Sequence, residues 1–224
     1  MRQKKTPIRK VKKYLVTLLA LFFAFPIVWV FTYRYVNPTL NSNDEPTKSK
    51  QKWVSYQQIS IYLKQSVVVA EDITFLFHRG FDYKAIKHAY RINKEKGKVI
   101  YGASTISQQT AKNVFLWKER SWLRKVLEVY FTFLVEVFWS KQRILEVYLN
   151  TIELGENIYG IDAAVHFYFH KDSSEISLNE AAFLAAIIPN PRILSISFPN
   201  QYVIKQGRNI KARTFRFVDY IDML

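Results

Sequence analysis

The sequence predicts a mostly α-helical protein, in which one N-terminal transmembrane helix and a short linker precede a single globular domain. Three observations indicate this architecture. Helix-capping patterns and apolar residues at helical spacing recur along residues 53–224. No part of that region alternates polar and apolar residues for long enough to predict a substantial strand. A long uncharged segment near the N-terminus directly follows a cluster of basic residues.

The chain begins with a basic tail, residues 1–13, followed by an apolar anchor, residues 14–35. The tail holds seven of the basic residues behind the net charge of +15, and no acid: Arg2, Lys4, Lys5, Arg9, Lys10, Lys12 and Lys13. Residues 14–33 carry no charge, and as a helix they would span about 30 Å, the thickness of a bilayer's hydrocarbon core. Because Arg34 and Tyr35 follow in place of a small-residue cleavage site, we expect an uncleaved, single-pass transmembrane helix.

The position of the basic tail also predicts which side of the membrane the domain occupies. Basic residues that flank a transmembrane helix concentrate on its cytoplasmic side. We therefore expect a cytoplasmic N-terminus and a domain on the outer side of the membrane, which in a bacterium is the periplasmic or external side of the cytoplasmic (inner) membrane. Residues 36–52 are rich in turn formers and predict a linker. Residues 53–224 are numerous enough to form one hydrophobic core.

Capping signals set the first three helices of the domain. Ser55 is a candidate N-cap for a helix that ends near Ala70, and Asp82 for a helix that stops at Gly97. Residues 105–108, TISQ, match a capping box that opens the third helix.

Three more helical segments complete the domain. Residues 121–149 carry apolar side chains at helical spacing, with a break near Ser140. Residues 177–180, SLNE, form another capping box, before a helix that closes at residues 189–191, PNP. The last 25 residues show the pattern of an amphipathic helix.

Several kinds of site are excluded by composition and by missing motifs. The chain has no cysteine, which rules out disulfides, Cys-ligated zinc and thiol nucleophiles. The four histidines form no HExxH pattern, and the sequence has no nucleophile elbow, P-loop or Rossmann glycine pattern. We expect no nucleic-acid partner, because about half of the basic excess precedes the apolar anchor.

Two acids follow an apolar run at residues 67–72, VVVAED. Burying a charge is costly, so the simplest interpretation of Glu71 and Asp72 is a solvated helix end. The second interpretation is a functional carboxylate in an apolar setting, and the remaining motifs favour it.

The predicted third helix carries a polar face. Thr105, Gln109 and Lys112 lie at positions i, i+4 and i+7, and the helix N-terminus offers backbone amides suited to an anion such as phosphate. The alternative is a capped, solvated helix with a surface lysine.

A second carboxylate has cations nearby. Glu128 follows Arg124 by four residues and Lys125 by three, among largely apolar neighbours. We expect both cations to hold a partly desolvated Glu128. The alternative is an ordinary helix salt bridge. We expect Glu136 to be solvated or structural.

Paired carboxylates suggest glycosyl chemistry, and the cations favour a donor whose leaving group departs as a diphosphate anion.

Five motifs resemble those of the peptidoglycan glycosyltransferases, and together they cover roughly residues 53–205. They are AED-x2-F-x2-H-x-G at 70–80, GASTISQQTAKN at 102–113, RKVLE at 124–128, SKQRILEVYLN at 140–150 and EAAFLAAIIPNP at 180–191. The N-terminal anchor and the lack of a penicillin-binding module resemble the monofunctional biosynthetic branch of that family.

The resemblance implies a lysozyme-like helical glycosyltransferase domain that polymerises lipid II into β-1,4 glycan strands. It implies inversion at the MurNAc C1 and release of undecaprenyl pyrophosphate. Glu71 matches the general base, and the apolar run before it is expected to raise its pKa. Glu128 matches the second essential carboxylate, at the donor pyrophosphate. The matching substrate-binding positions are Thr105, Gln109, Lys112, Asn113, Arg124 and Lys125, with Asp72, Phe75, His78 and Ser104 as their supporting shell.

The resemblance also implies ligands and partners. These are lipid II, the growing glycan strand, the membrane bilayer and cell-wall synthesis or division proteins. A divalent cation, Mg²⁺ or Mn²⁺, is a candidate cofactor, with no metal ligand assigned. Asp162 stands where the family usually has Glu, and Ile73, Thr74 and Leu76 are unusual in the first motif. Two other functions are considered: a lysozyme-like peptidoglycan hydrolase or lytic transglycosylase, and an inactive cell-wall scaffold protein.

Overall fold

A computed structural model describes residues 7–38 and 52–216 of the chain, and these residues are mostly helical. A 3₁₀ turn, Tyr56–Gln58, precedes α2, and a two-stranded antiparallel hairpin precedes α7. The elements are α1 Pro7–Tyr33, α2 Ile61–Glu71, α3 Tyr83–Lys96, α4 Ile106–Phe115, α5 Trp122–Phe138, α6 Lys141–Thr151, β1 Glu153–Gly155, β2 Ile158–Tyr159, α7 Ile161–Phe169, α8 Leu178–Ile187 and α9 Gln201–Arg216.

Most of the predicted caps are confirmed. Asp82 Oδ1 accepts a hydrogen bond of 2.8 Å from the amide of Ala85, and Gly97 ends α3 with a φ of +63°. Capping boxes formed by Thr105 and Ser177 open α4 and α8, and Ser140 caps α6. These signals succeed because each one depends on hydrogen bonds between residues close together in the chain.

Three features of the domain differ from the sequence-based expectations. The helix expected from Ser55 is interrupted, because Ile59 is extended and the side chain of Ser60 caps a new helix, α2. The hairpin β1–β2 and helix α7 were not predicted, and both strands are too short to show a clear alternation.

The expected C-terminal helix is confirmed up to Arg216, and its remainder lies outside the described residues.

Helix α1 packs its C-terminal end against the globular domain. Val30 is buried there, and its carbonyl accepts a hydrogen bond of 2.8 Å from Trp139 Nε1. The ring of Trp29 lies edge-on to Phe115 of α4, with 5.2 Å between the ring centroids. Across residues 7–38 and 52–216, no helix combines the length and apolar character that a membrane crossing requires, so the predicted transmembrane helix is not supported.

The core of the domain lies between α2, α4, α6 and α8, with α9 packed on α8 and α2. Leu63, Ile106 and Leu145 are fully buried members from α2, α4 and α6. The apolar stripe predicted for α5 is only partly buried, because Leu134 is inside whereas Leu123 and Val137 are exposed. The core therefore holds α2 and α4 against each other, and one apolar face of α5 remains exposed on the surface.

Candidate active site

Glu71 is the last residue of α2 and lies two positions after the buried run Val67–Val69. Its Oε2 accepts a hydrogen bond of 2.7 Å from the side-chain nitrogen of Gln109 on α4. Burial raises the pKa of Glu71 above its ordinary value, and this outweighs the Gln109 hydrogen bond and the Lys112 charge, which lower it. A carboxyl group in this state is suited to accept a proton.

The adjacent acid, Asp72, has a structural position. It is buried, and its Oδ2 lies 2.9 Å from His78 Nε2 and accepts a hydrogen bond of 3.0 Å from the backbone amide of Ile106. Ile106 is the first residue of α4. The first amide of this helix N-terminus, where the sequence suggested an anion such as phosphate, is therefore bound by the protein's own Asp72.

The loop between α2 and α3 is held close to α4 and α5. The Thr105 hydroxyl donates a hydrogen bond of 2.7 Å to the carbonyl of Gly80. Gly80 has a φ of +88°, and a Cβ added there would lie 2.9 Å from Thr132 Cγ2 on α5. This position therefore requires glycine on both conformational and packing grounds.

Phe75, expected in the supporting shell of the substrate-binding residues, belongs to the core. Its side chain is fully buried, and Lys141 Nζ lies 4.4 Å from the centre of its ring. His78 packs edge-on against the same ring, at 6.3 Å between centroids. Phe75 and His78 thus support the loop, and Phe75 has no surface for a substrate because its aromatic ring fills an interior position.

Glu128 is the second buried carboxylate, with 4% of its surface exposed. Lys125, one turn earlier on α5, forms an ion pair with it. We expected Arg124 to hold Glu128 as well, but the ion pairs found among the described residues do not join these two side chains. Instead, Arg124 Nε is buried without a hydrogen-bond partner in that part of the chain. Its guanidinium is therefore available to another anion.

Lys112 connects the two carboxylates. Burial lowers its pKa, the charge of Glu128 raises it, and the charges of Arg124 and Lys125 lower it again. Glu71 also interacts electrostatically with Lys112. Lys112 therefore links the base candidate electrostatically to the cation cluster, defined as Lys112, Arg124 and Lys125.

Glu71 lines a cavity of about 190 Å³, and Lys112, Arg124 and Lys125 are not among the residues that line it. Ser104 and Thr105 line it, as do Asp82 and Arg213, the latter from α9. Asn113, also in the predicted set, is half-buried directly after Lys112 on α4. Two of the unusual residues of the first motif, Ile73 and Thr74, line the cavity as well, and the Thr74 hydroxyl donates a hydrogen bond of 2.6 Å to Asp82.

The other two departures from the family pattern lie away from this cavity. Leu76 is half-buried against the core. Asp162 is buried near the start of α7, with 3.9 Å between its Oδ1 and His166 Nε2.

Glu136 is structural, the second of the two roles expected for it: its side chain forms an ion pair of 2.7 Å with Lys141 and accepts a hydrogen bond from Ser107 of α4. Other residues near the site were missed by sequence reasoning. Tyr148 is fully buried on α6, and its hydroxyl donates to Gln109 Oε1 at 3.1 Å. Lys141 and Tyr148 both lie in the motif at residues 140–150, which could have indicated that they belong near the site. Arg213 lies in none of the five motifs, so the sequence gave no indication of its position.

The described residues do not fit a metal site built from protein ligands alone. They contain no group of three or more His, Asp or Glu side chains placed to hold a metal ion. The carboxylate of Glu128 is already paired with Lys125, and Lys112 adds a further positive charge nearby. This donor set favours an anion over a bare cation.

Comparisons with known proteins show the family of the chain. Residues 38–214 match the model of a family described as Transglycosylase. Similar curated proteins named biosynthetic peptidoglycan transglycosylase include those of three bacteria. That of Bacteroides thetaiotaomicron is 46% identical over 216 residues, which are 91% of this chain and 86% of the relative. That of Bdellovibrio bacteriovorus is 39% identical over 95% of this chain and 92% of the relative. That of Caulobacter vibrioides is 42% identical over 92% of each.

Proposed function

Because the chain belongs to the biosynthetic peptidoglycan transglycosylases, we propose that it polymerises lipid II into β-1,4 glycan strands by inverting glycosyl transfer. One observation carries the mechanistic part of this proposal. The half-buried Glu71, whose pKa is raised, interacts electrostatically with Lys112, which also interacts with Glu128 and with the other two cations of the cluster. A base and a positively charged cradle are what a donor with a diphosphate leaving group requires.

Glu71 acts as the general base. It takes the proton of the GlcNAc 4-hydroxyl of the acceptor, and that oxygen attacks C1 of the donor MurNAc. The bond from C1 to the phosphate oxygen breaks, its electron pair leaves with undecaprenyl pyrophosphate, and the configuration at C1 changes from α to β. The raised pKa of Glu71 supports this role, because a base is most effective when its pKa approaches the working pH.

The cation cluster stabilises the leaving diphosphate. The unpartnered Nε of Arg124 supports this assignment, since a buried donor without an acceptor is costly until a ligand supplies one. Glu128 holds Lys125 in place and counters the effect of burial on the charge of Lys112. Because a diphosphate is itself a ligand for Mg²⁺ or Mn²⁺, a divalent cation would be bound chiefly by the donor, with Glu128 as the nearest carboxylate.

We place the reaction at the external face of the bacterial cytoplasmic membrane, where a lipid-borne donor would be presented. The exposed apolar face of α5 supports this location. It is formed by Trp122, Val126, Val129, Phe133 and Val137, all exposed and all on one side of the helix. Arg124 and Lys125 lie on the first turns of the same helix, which suits contact with phosphate groups at a lipid surface. Cell-wall synthesis or division proteins are the partners available there.

Incubation of the purified full-length protein with labelled lipid II, in detergent with Mg²⁺ or Mn²⁺, tests the proposal. We expect polymeric glycan from the unchanged protein, no polymer from Glu71→Gln and a large loss with Glu128→Gln. Loss of a general base typically costs a factor of about 10² to 10⁴ in rate. The matched control is Glu175→Gln, at an exposed glutamate in the turn before α8, which leaves polymer formation unchanged.

Two results would contradict the proposal. Release of sugar from finished peptidoglycan, without polymer from lipid II, would favour a hydrolase or lytic transglycosylase. No turnover of either substrate would favour a scaffold protein.

A further inference from the structure

Tyr148 is connected to Glu71 through the side chain of Gln109. It is fully buried on α6, and its hydroxyl lies 3.1 Å from Gln109 Oε1. The other end of the same amide, Gln109 Nε2, lies 2.7 Å from Glu71 Oε2. The three side chains therefore form a chain of two hydrogen bonds that runs from α6 through α4 to α2.

Chemistry fixes the direction of both hydrogen bonds. An ionised carboxylate only accepts, so Gln109 must turn its nitrogen toward Glu71 and its oxygen toward Tyr148. Burial, together with the charges of Glu71 and Asp72, raises the pKa of Tyr148 well above its ordinary value. The phenol therefore keeps its proton at every pH at which the enzyme would work, and it always donates to the Gln109 oxygen.

We infer that Tyr148 is a positioning residue that keeps the Gln109 amide nitrogen directed at Glu71. This inference rests on the function proposed above, because it assigns a role in the reaction through the general base. Without the Tyr148 hydroxyl, the Gln109 oxygen loses its donor, and rotation of the amide by half a turn places that oxygen against Glu71. Two acceptors then face each other, which disfavours the ionised form of the base.

The other groups around Glu71 would remain in place after such a change. Asp72 lies beside it as the residue that caps the C-terminus of α2, Lys112 on α4 interacts with it electrostatically, and Asp82 and Arg213 line the adjoining cavity. Because the Gln109 hydrogen bond lowers the pKa of Glu71, its loss is expected to raise that pKa further. The acidic limb of the rate profile should then move to higher pH, since the base must be ionised to act.

The test is Tyr148→Phe in the full-length protein, which removes the hydroxyl and keeps the buried ring. We expect kcat for glycan polymerisation to fall about tenfold at neutral pH. This is the effect of losing the hydrogen bond from Gln109 to the ionised Glu71 once the amide is no longer held in place. We also expect the acidic limb of kcat/KM to shift to higher pH. Tyr168→Phe is the matched control, because Tyr168 also donates its hydroxyl to a single acceptor, the carbonyl of Leu154 at 3.0 Å. Tyr168→Phe should change neither kcat nor the position of the acidic limb of kcat/KM.

A second pair of variants separates positioning from packing. Gln109→Met removes the amide, so adding Tyr148→Phe to it should cause no further loss of kcat and no further shift. Additive losses, or a Tyr148→Phe variant whose acidic limb stays in place, would overturn the inference.

Direct titration of Glu71 by ¹³C NMR distinguishes failure of this inference from failure of the proposed function. The Glu71 midpoint should be higher in Tyr148→Phe than in the unchanged protein, whether or not polymer forms. An unchanged midpoint overturns the inference alone, whereas an unchanged protein that fails to polymerise lipid II overturns the proposed function alone.

Discussion

The carboxylate of Asp72 accepts a hydrogen bond of 3.0 Å from the backbone amide of Ile106, and this joins the C-terminus of α2 to the first residue of α4. Glu71 is the neighbour of Asp72 on one side of this junction, and Gln109 lies on the first turn of α4 on the other. The distance between Glu71 and Gln109 therefore depends on Asp72. Of these two adjacent acids, Asp72 is structural, and Glu71 is the one proposed to act as the base.

Asp72→Asn is expected to weaken this junction. The neutral amide binds the helix N-terminus less well, and its NH₂ group cannot accept from either Ile106 or His78. We expect the free energy of unfolding to fall by about 1–3 kcal/mol, measured by urea denaturation, and the polymerisation rate to fall with it. Asp172→Asn is the control, at an exposed aspartate. Unchanged stability in Asp72→Asn would show that the junction does not hold α4.

Glu71→Gln is expected to stabilise the protein at neutral pH. Burial raises the pKa of Glu71 in the folded state, whereas the unfolded chain ionises near the ordinary value of 4.5. As the pH rises above 4.5, the unfolded chain loses this proton first, so stability falls until the folded pKa is passed. A glutamine side chain does not ionise in this pH range, so it causes no such loss of stability. The urea midpoint of Glu71→Gln should therefore exceed that of the unchanged protein at pH 7.

The same comparison at low pH checks the sign of this effect. Below pH 4.5 the carboxyl is protonated in both states, and the advantage of Glu71→Gln should disappear. A gain that is the same at both pH values, or a loss at pH 7, would contradict a raised pKa. Glu175→Gln, at an exposed position, should show no gain at either pH.

Sequence reasoning succeeded where a structural signal is local in the chain. Asp82, Thr105 and Ser177 cap their helices through partners at most three residues away, so their spacing alone contains the required information. The stretch of valines before Glu71 likewise indicated burial, and the structure places this carboxyl in a setting that raises its pKa.

Contacts between distant segments were not predictable in the same way. Asp72 reaches an amide 34 positions away, and Tyr148 reaches a side chain 39 positions away. Helical spacing suggested that Arg124 pairs with Glu128, but spacing gives only proximity of Cβ atoms. The direction that a long side chain takes depends on what packs around it, and Arg124 Nε lies buried without a partner among the described residues.

Arg124→Lys is expected to weaken binding of a diphosphate while keeping the positive charge. The guanidinium offers Nε as a buried donor that lacks a protein acceptor, and lysine has no equivalent of this atom. We expect inhibition of polymerisation by inorganic pyrophosphate to require about tenfold more inhibitor, in line with one lost hydrogen bond to a charged group. Arg120→Lys, at an exposed arginine just before α5, is the matched control. An equal inhibition constant for both variants would remove Arg124 from the donor site.

The exposed face of α5 predicts how the domain meets a lipid surface. Trp122 and Phe133 lie on this face at 89% and 59% exposure, so replacing both with serine removes much of its apolar area. Burying one large apolar side chain contributes about 1.5–3 kcal/mol, so we expect the double variant to bind phosphatidylglycerol vesicles at least tenfold more weakly in a flotation assay. Phe198→Ser is the control, because Phe198 is 88% exposed but lies outside α5. If the double variant and the control bind vesicles equally, the apolar face of α5 does not contact the membrane.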